Sequence, residues 1–196
     1  MSTGKIWVAP EEGGPVKPWE FVESESSHDY GIFKTRVDHL RSPRTQHVLR
    51  RVIVEPPDWV NVVARTVDGN FLMVRQIRHG IAAPSLEIPA GAIEANESPA
   101  QAAARELLEE TGYRATTLLE LGKVFPNPAF QTNTCYLYLA DHCHKVQEPE
   151  QDPGEDIHLE TWSRDQLLAA SRDGRIQHSL VIAALYFLRD RENGWA

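Results

Sequence analysis
The sequence predicts a mixed α/β fold, a sheet sandwiched between helices, preceded by a small antiparallel β subdomain. Three observations predict it. Short strand-like runs recur between residues 19 and 162, helical patterns are confined to three segments, and the breaker Pro56-Pro57-Asp58 separates the first runs from the rest. The predicted boundaries are an irregular arm over 1–18, a β subdomain over 19–57 and the main domain over 58–196.

The arm holds Gly4, Pro10, Gly13, Gly14, Pro15 and Pro18. Strands are expected over 19–25, 30–40 and 45–55, with a turn at Arg41-Ser42-Pro43-Arg44 between the last two. Residues 59–67 and 70–76 flank Asp68-Gly69, the strongest hairpin signal in the chain. A short strand over 86–89 runs into a glycine turn, Ala90-Gly91. Residues 99–111 read as a helix, 113–123 and 134–140 as strands, 147–154 as an acidic loop and 158–162 as a strand. Two further helices, 164–171 and 176–190, are separated by Asp173-Gly174, the second with an apolar face of Ile176, Leu180, Ala183, Ala184 and Phe187.

The chain has 196 residues and a formal net charge of −8. That acidity disfavours broad contact with nucleic-acid phosphates, though not a small phosphorylated ligand held through a cation. No apolar run reaches membrane-spanning length, and the N-terminus lacks a basic start followed by an apolar stretch, so a cytoplasmic protein is expected. Cys135 and Cys143 read as inert thiols.

The chemistry points to the helix at 99–111. Ser98 suits its N-cap, Pro99 the first helical position, Gln101 a capping box and Gly112 the C-terminal stop. At 100° per residue, Ala100, Ala103, Ala104, Leu107 and Leu108 share one face, and Glu106, Glu109 and Glu110 another. The alanines would let the helix approach its sheet closely. The three carboxylates repel one another, and two of them meet the negative end of the helix dipole. Either they form a solvated acidic face, or a hard divalent cation relieves the conflict.

The wider spacing bears on that choice. Gly91 is followed after five residues by Glu97 and after seven more by Arg105-Glu106-Leu107. One residue later come Glu109-Glu110, and one after that Gly112-Tyr113. This segment resembles the Nudix box at all seven of its strictly specified positions, and a chance match is on the order of one in a million. The resemblance implies a Nudix fold, an α/β/α sandwich with a mixed sheet. It further implies Glu106, Glu110 and the Ala90 carbonyl as metal ligands, Glu109 as a catalytic neighbour, and Arg105 as the residue that orients a carboxylate by a bidentate pair. Gly91, Glu97 and Gly112 would be structural. Mg²⁺ is the implied cofactor, with Mn²⁺ as an alternative.

Four features outside the box resemble the ADP-ribose and nucleoside-diphosphate-sugar branch. They are the strand-rich extension over 19–55, the strand ending Gln76-Ile77-Arg78, the lead-in Leu86-Glu87-Ile88-Pro89-Ala90-Gly91, and Pro128, 16 residues after Gly112. Ile77 stands where that branch has an aromatic residue, and Asn127-Pro128-Ala129 departs from its proline–glycine form. The resemblance implies Arg78, the Ala92 backbone and Pro128 in substrate binding, and a homodimer with an exchanged N-terminal subdomain. The alternatives are a surface arginine at a strand end for Arg78 and a loop-shaping residue for Pro128. Glu155 matches the branch's glutamate as general base or extra metal ligand, with Asp156 as the alternative.

Trp59 is expected to pack rather than stack on a base, and Trp19 has both options. His142, Cys143 and His144 have short metal-like spacing without further partners, and His178 is expected to cap or pack. The implied reaction is Mg-dependent hydrolysis of a nucleoside diphosphate sugar, foremost ADP-ribose to AMP and ribose 5-phosphate. GDP-mannose or another nucleotide sugar is the alternative substrate. A catalytically silent, nucleotide-sugar-sensing domain is the alternative of a different class, against which stands the full set of box glutamates.

Overall fold
The structure, a computed structural model, describes residues 16–151, 154 and 156–193. Most of the expected arm therefore lies outside the described residues, as does Glu155. The chain divides into two compact units, one of residues 1–57 and 125–133, the other of residues 58–124 and 134–196.

The first unit is a three-stranded antiparallel meander of β1 (Glu20–Asp29), β2 (Lys34–Arg41) and β3 (Val48–Glu55). Every residue of β1 is exposed, including Phe21 and Val22. The sheet is cross-linked by charge. Arg36 pairs with Asp38 and Glu55, and Arg50 and His39 share the Glu25 carboxylate. The segment 125–133 joins this unit through backbone hydrogen bonds from Val54 to Phe130 and from Thr132 to Val54.

The second unit is a mixed sheet in the order β11-β5-β4-β10-β8. Its members are β4 (Trp59–Thr66), β5 (Phe71–Arg78), β8 (Tyr113–Arg114), β10 (Cys135–Lys145) and β11 (His158–Trp162). Three further strands attach to it, β6 (Ala83–Glu87) to β5, β7 (Ala90–Ala92) to β4 and β9 (Thr117–Val124) to β10. Only the β4–β10 pair is parallel among these ladders. The two central strands are buried on both faces, and they alternate sides accordingly. Val60, Val62, Ala64, Tyr138 and Ala140 pack with Ala102, Ala103 and Leu107 of α1 (Pro99–Thr111). Val63, Cys135, Leu137 and Leu139 pack with residues of α2 (Arg164–Asp173) and α3 (Ser179–Asn193). Helices thus cover both faces, as the predicted sandwich requires. Leu107 is 1% exposed, and cutting it to alanine is expected to cost about 2–5 kcal/mol.

Several expectations need correction. Ala90-Gly91 is no free turn. It is the first part of β7, paired with Asn61 and Val60 of β4, because the edge of β4 would otherwise leave backbone groups unsatisfied. The strand expected over 113–123 breaks into β8 and β9, and β10 runs five residues beyond Ala140 to pair with both. Ile176 is buried in the core but precedes α3, which begins at Ser179. On α1, Ala100 and Ala104 are exposed, and the packing face is Ala102, Ala103 and Leu107. The face is displaced because Glu106 and Glu110 are themselves buried.

Candidate active site
The site is built on α1 and on the short strand opposite it. α1 starts where its local chemistry dictates. The Ser98 hydroxyl accepts from the Gln101 backbone N–H, and the Gln101 side chain accepts from the Ser98 N–H. It ends at Gly112, whose φ of 74° and N–H bond to the Leu108 carbonyl form a left-handed cap. A β-carbon at Gly112 would overlap the Gln147 carbonyl oxygen.

Between these ends, Arg105 organises the carboxylates. Its Nε and Nη2 donate to the two Glu97 oxygens at 2.9 and 2.8 Å. Its Nη1 donates to Glu106 Oε1 at 2.8 Å and to Glu109 Oε2 at 3.0 Å. Nη2 also reaches the Ala92 carbonyl at 3.0 Å. The guanidinium hydrogen bonds, with the Arg105 charge, hold the Glu97 carboxyl below its ordinary range, and the Glu97 bonds in turn push the Arg105 pKa up.

Glu106 and Glu110 lie one helical turn apart, 8% and 2% exposed. Both reach the Ala90-Gly91 segment of β7. The Ala90 N–H donates to Glu110 Oε2 at 3.1 Å, and a β-carbon at Gly91 would overlap the Glu106 carboxylate. Gly91 is therefore glycine because a carboxylate fills the space its side chain would need.

Two buried carboxylates and a backbone carbonyl are all hard oxygen donors, and Mg²⁺ is commonly held by one or two carboxylates, with substrate phosphates and water completing its shell. Among the described residues, no three His, Cys, Asp or Glu side chains are already gathered around a metal position. The residues fit a cation that is completed by substrate oxygens, and they do not form an all-protein cage. The same observation leaves the His142-Cys143-His144 cluster without a metal site. Cys143 is buried and donates to the Ala140 carbonyl.

The remaining predicted residues fall as follows. Arg78 ends β5 and makes a bidentate pair with Glu87, both distances 2.8 Å. Ala92 is on β7, its carbonyl engaged by Arg105. Pro128 belongs to the first unit. Asp156 is exposed, while Glu155 lies outside the described residues. The root of the acidic loop is tied to α1. Val146 and Gln147 donate to the Gly112 carbonyl, and Glu150 donates to that of Glu109. Trp59 packs against the core, and Trp19 lies under the Arg51 guanidinium at 5.1 Å. Glu87 escaped the sequence reading as a site residue. The available signal was an acid between Leu86 and Ile88 in an apolar lead-in, the kind of residue that is buried only when paired.

Comparison with known proteins agrees with this geometry. The NUDIX domain family model matches residues 55–185, and the chain belongs to that family. It is 33% identical over 180 residues to the ADP-ribose pyrophosphatase of Mycobacterium tuberculosis, covering 91% of this chain and 86% of that one. It is 31% identical over 172 residues to the methanol dehydrogenase activator of Bacillus methanolicus, covering 87% and 92%. A crystal structure of an ADP compounds hydrolase superposes with a TM-score of 0.77 at 22% identity, over 92% of this chain and 97% of that one, a likeness of fold.

Proposed function
We propose that this chain hydrolyses the diphosphate of a nucleoside diphosphate sugar, with ADP-ribose giving AMP and ribose 5-phosphate as the preferred reaction. The observation that carries the reading is the pair of buried glutamates, Glu106 and Glu110, held against Ala90-Gly91 with Arg105 braced between Glu97, Glu106 and Glu109. Relatives named ADP-ribose pyrophosphatase and ADP-sugar pyrophosphatase support the substrate class.

Glu106, Glu110 and the Ala90 carbonyl would hold the cation, Mg²⁺ foremost with Mn²⁺ as its substitute. Such a cation would supply charge neutralisation at the phosphates and a more acidic bound water. Arg105 keeps Glu97, Glu106 and Glu109 oriented, and Glu109 remains the most exposed of the three, its side chain 42% exposed. Arg78 and the Ala92 backbone would hold phosphate and substrate, and Pro128 is the further residue proposed in substrate binding. Glu155, with Asp156 as the alternative, would take the proton from the attacking water. The exposed apolar residues Phe21, Val22 and Val52 of the first unit support a homodimer with an exchanged N-terminal subdomain. Light scattering should then give twice the 22.1 kDa chain mass. Among the described residues no helix is long and apolar enough to cross a membrane.

The test is a panel of nucleotide sugars assayed with Mg²⁺ and with Mn²⁺, in which ADP-ribose is turned over fastest. No turnover of ADP-ribose would overturn the preferred substrate, and GDP-mannose turnover would establish the alternative that Asn127-Pro128-Ala129 keeps open. The activator relative favours a second reading, action on a dehydrogenase. A stimulated dehydrogenase rate on adding this chain would support it.

A further inference from the structure
Outside the box, three titratable side chains meet where β5, β6 and the residue before α3 converge. The Glu87 side chain is 1% exposed. Its two oxygens accept from Arg78 Nε and Nη2, and Ser85 also helps to lower its pKa. On the Oε2 side stands His178, with Nε2 3.8 Å away, beyond hydrogen-bond reach. His178 Nδ1 is buried and has no hydrogen-bond partner. Arg78 itself keeps 42% of its side chain exposed.

A buried carboxylate is tolerated only when charge and hydrogen bonds satisfy it. Glu87 is therefore committed to the plane of the Arg78 fork, and the fork is presented from a rigid base rather than from a flexible stem. Resting on the reading that Arg78 binds a substrate phosphate, we propose that Glu87 and His178 are positioning residues. Glu87 fixes the plane of the Arg78 guanidinium, and the charge on His178 sets how firmly Glu87 holds it.

The charged groups that act on His178 are Glu87 on β6 and Arg78 on β5. Burial holds its pKa below 6.5, so it is neutral at pH 7 and leaves Glu87 to Arg78. Protonation would place a second cation at Oε2, compete for that oxygen and repel the guanidinium. Substrate KM should therefore rise as acid protonates His178, on the acid side of an ordinary histidine titration, with little change in kcat.

Steady-state kinetics with ADP-ribose and Mg²⁺ on the full chain tests this. Arg78→Ala and Glu87→Gln should each raise KM by about tenfold or more, with kcat changed less than about threefold. The double variant should be no worse than Arg78→Ala, because Glu87 acts only through Arg78. Arg78→Lys keeps the charge but cannot make the two-pronged pair, and should raise KM similarly, so it carries the test if Glu87→Gln fails to fold. His178→Gln should lose the acid-side rise in KM. If Arg78→Ala leaves KM unchanged, both the phosphate role of Arg78 and this proposal fall. If Arg78→Ala raises KM but Arg78→Lys and Glu87→Gln do not, or the two effects multiply, or His178→Gln keeps the wild-type pH response, this proposal alone is overturned.

Discussion

Two of the arginine–glutamate forks in the second unit use the same bidentate chemistry, with the arginine left exposed to different degrees. In the box, Arg105 is 24% exposed, and Glu97 at 14% is one of three glutamates it touches. At the end of β5 the carboxylate is the buried partner, Glu87 at 1%, and Arg78 is left 42% exposed. The difference teaches what each fork is for. One arginine gathers carboxylates and spends its donors inside the protein. The other is held by one buried carboxylate and keeps part of its side chain exposed. The first should govern the cation platform and the second the substrate.

The largest effect expected is at the platform. Glu110→Gln should cut metal-dependent turnover by more than the ~10–100-fold typical of outer-shell partners, with an unchanged circular-dichroism spectrum. Unchanged turnover would refute the metal role and erase the contrast between the forks. Arg105→Ala should weaken Mg²⁺ activation by about 10–100-fold in a metal titration. A rise in substrate KM at saturating Mg²⁺ instead would mean that the two forks share one task. Gly91→Ala forces the Glu106 carboxylate away from β7, and the Mg²⁺ titration should shift by roughly tenfold.

A smaller effect is expected in acid. Arg105 hydrogen bonds hold the Glu97 pKa below 4.5. Burial pushes the Glu87 pKa up, but Arg78, His178 and Ser85 outweigh it and bring it below 4.5 as well. Both folded values thus lie below the unfolded one. The stability they contribute is fully present above 4.5 and is lost as the pH falls through the folded values. Melting temperatures measured downward from neutral pH should drop below 4.5, and Glu97→Gln should drop less steeply. The smallest effect is none at all. Burial pushes both Cys135 and Cys143 up to about 12, so alkylating reagents at about pH 8 should leave native activity unchanged, and inactivation would contradict that burial.

The sequence was most legible where structure is decided by neighbours along the chain. Ser98, Pro99, Gln101 and Gly112 set the ends of α1, because capping is chemistry among adjacent residues. The Asp68-Gly69 hairpin formed for the same reason, with Gly69 at φ 80°. The orientation of α1 was not legible in this way. A projection that sorts residues by hydrophobicity sends glutamates to solvent, yet Glu106 and Glu110 are buried and rotate the packing face off Ala100 and Ala104. Glu87 was hidden because its partners lie nine residues before it and far beyond it in sequence, at Arg78 and His178. The acids of the box could be recognised as a set from their spacing. That Arg105 would touch three glutamates at once required the helix, β7 and the 92–97 loop to be in place.

One consequence follows from the cap at Gly112. The backbone of residues 146, 147 and 150 is fastened to the last turn of α1, and the Gln151 side chain exchanges two hydrogen bonds with the backbone of Ile157. A shift of the chain at Gln151 therefore meets two separate anchors before it can pull on the helix that carries Glu106 and Glu110.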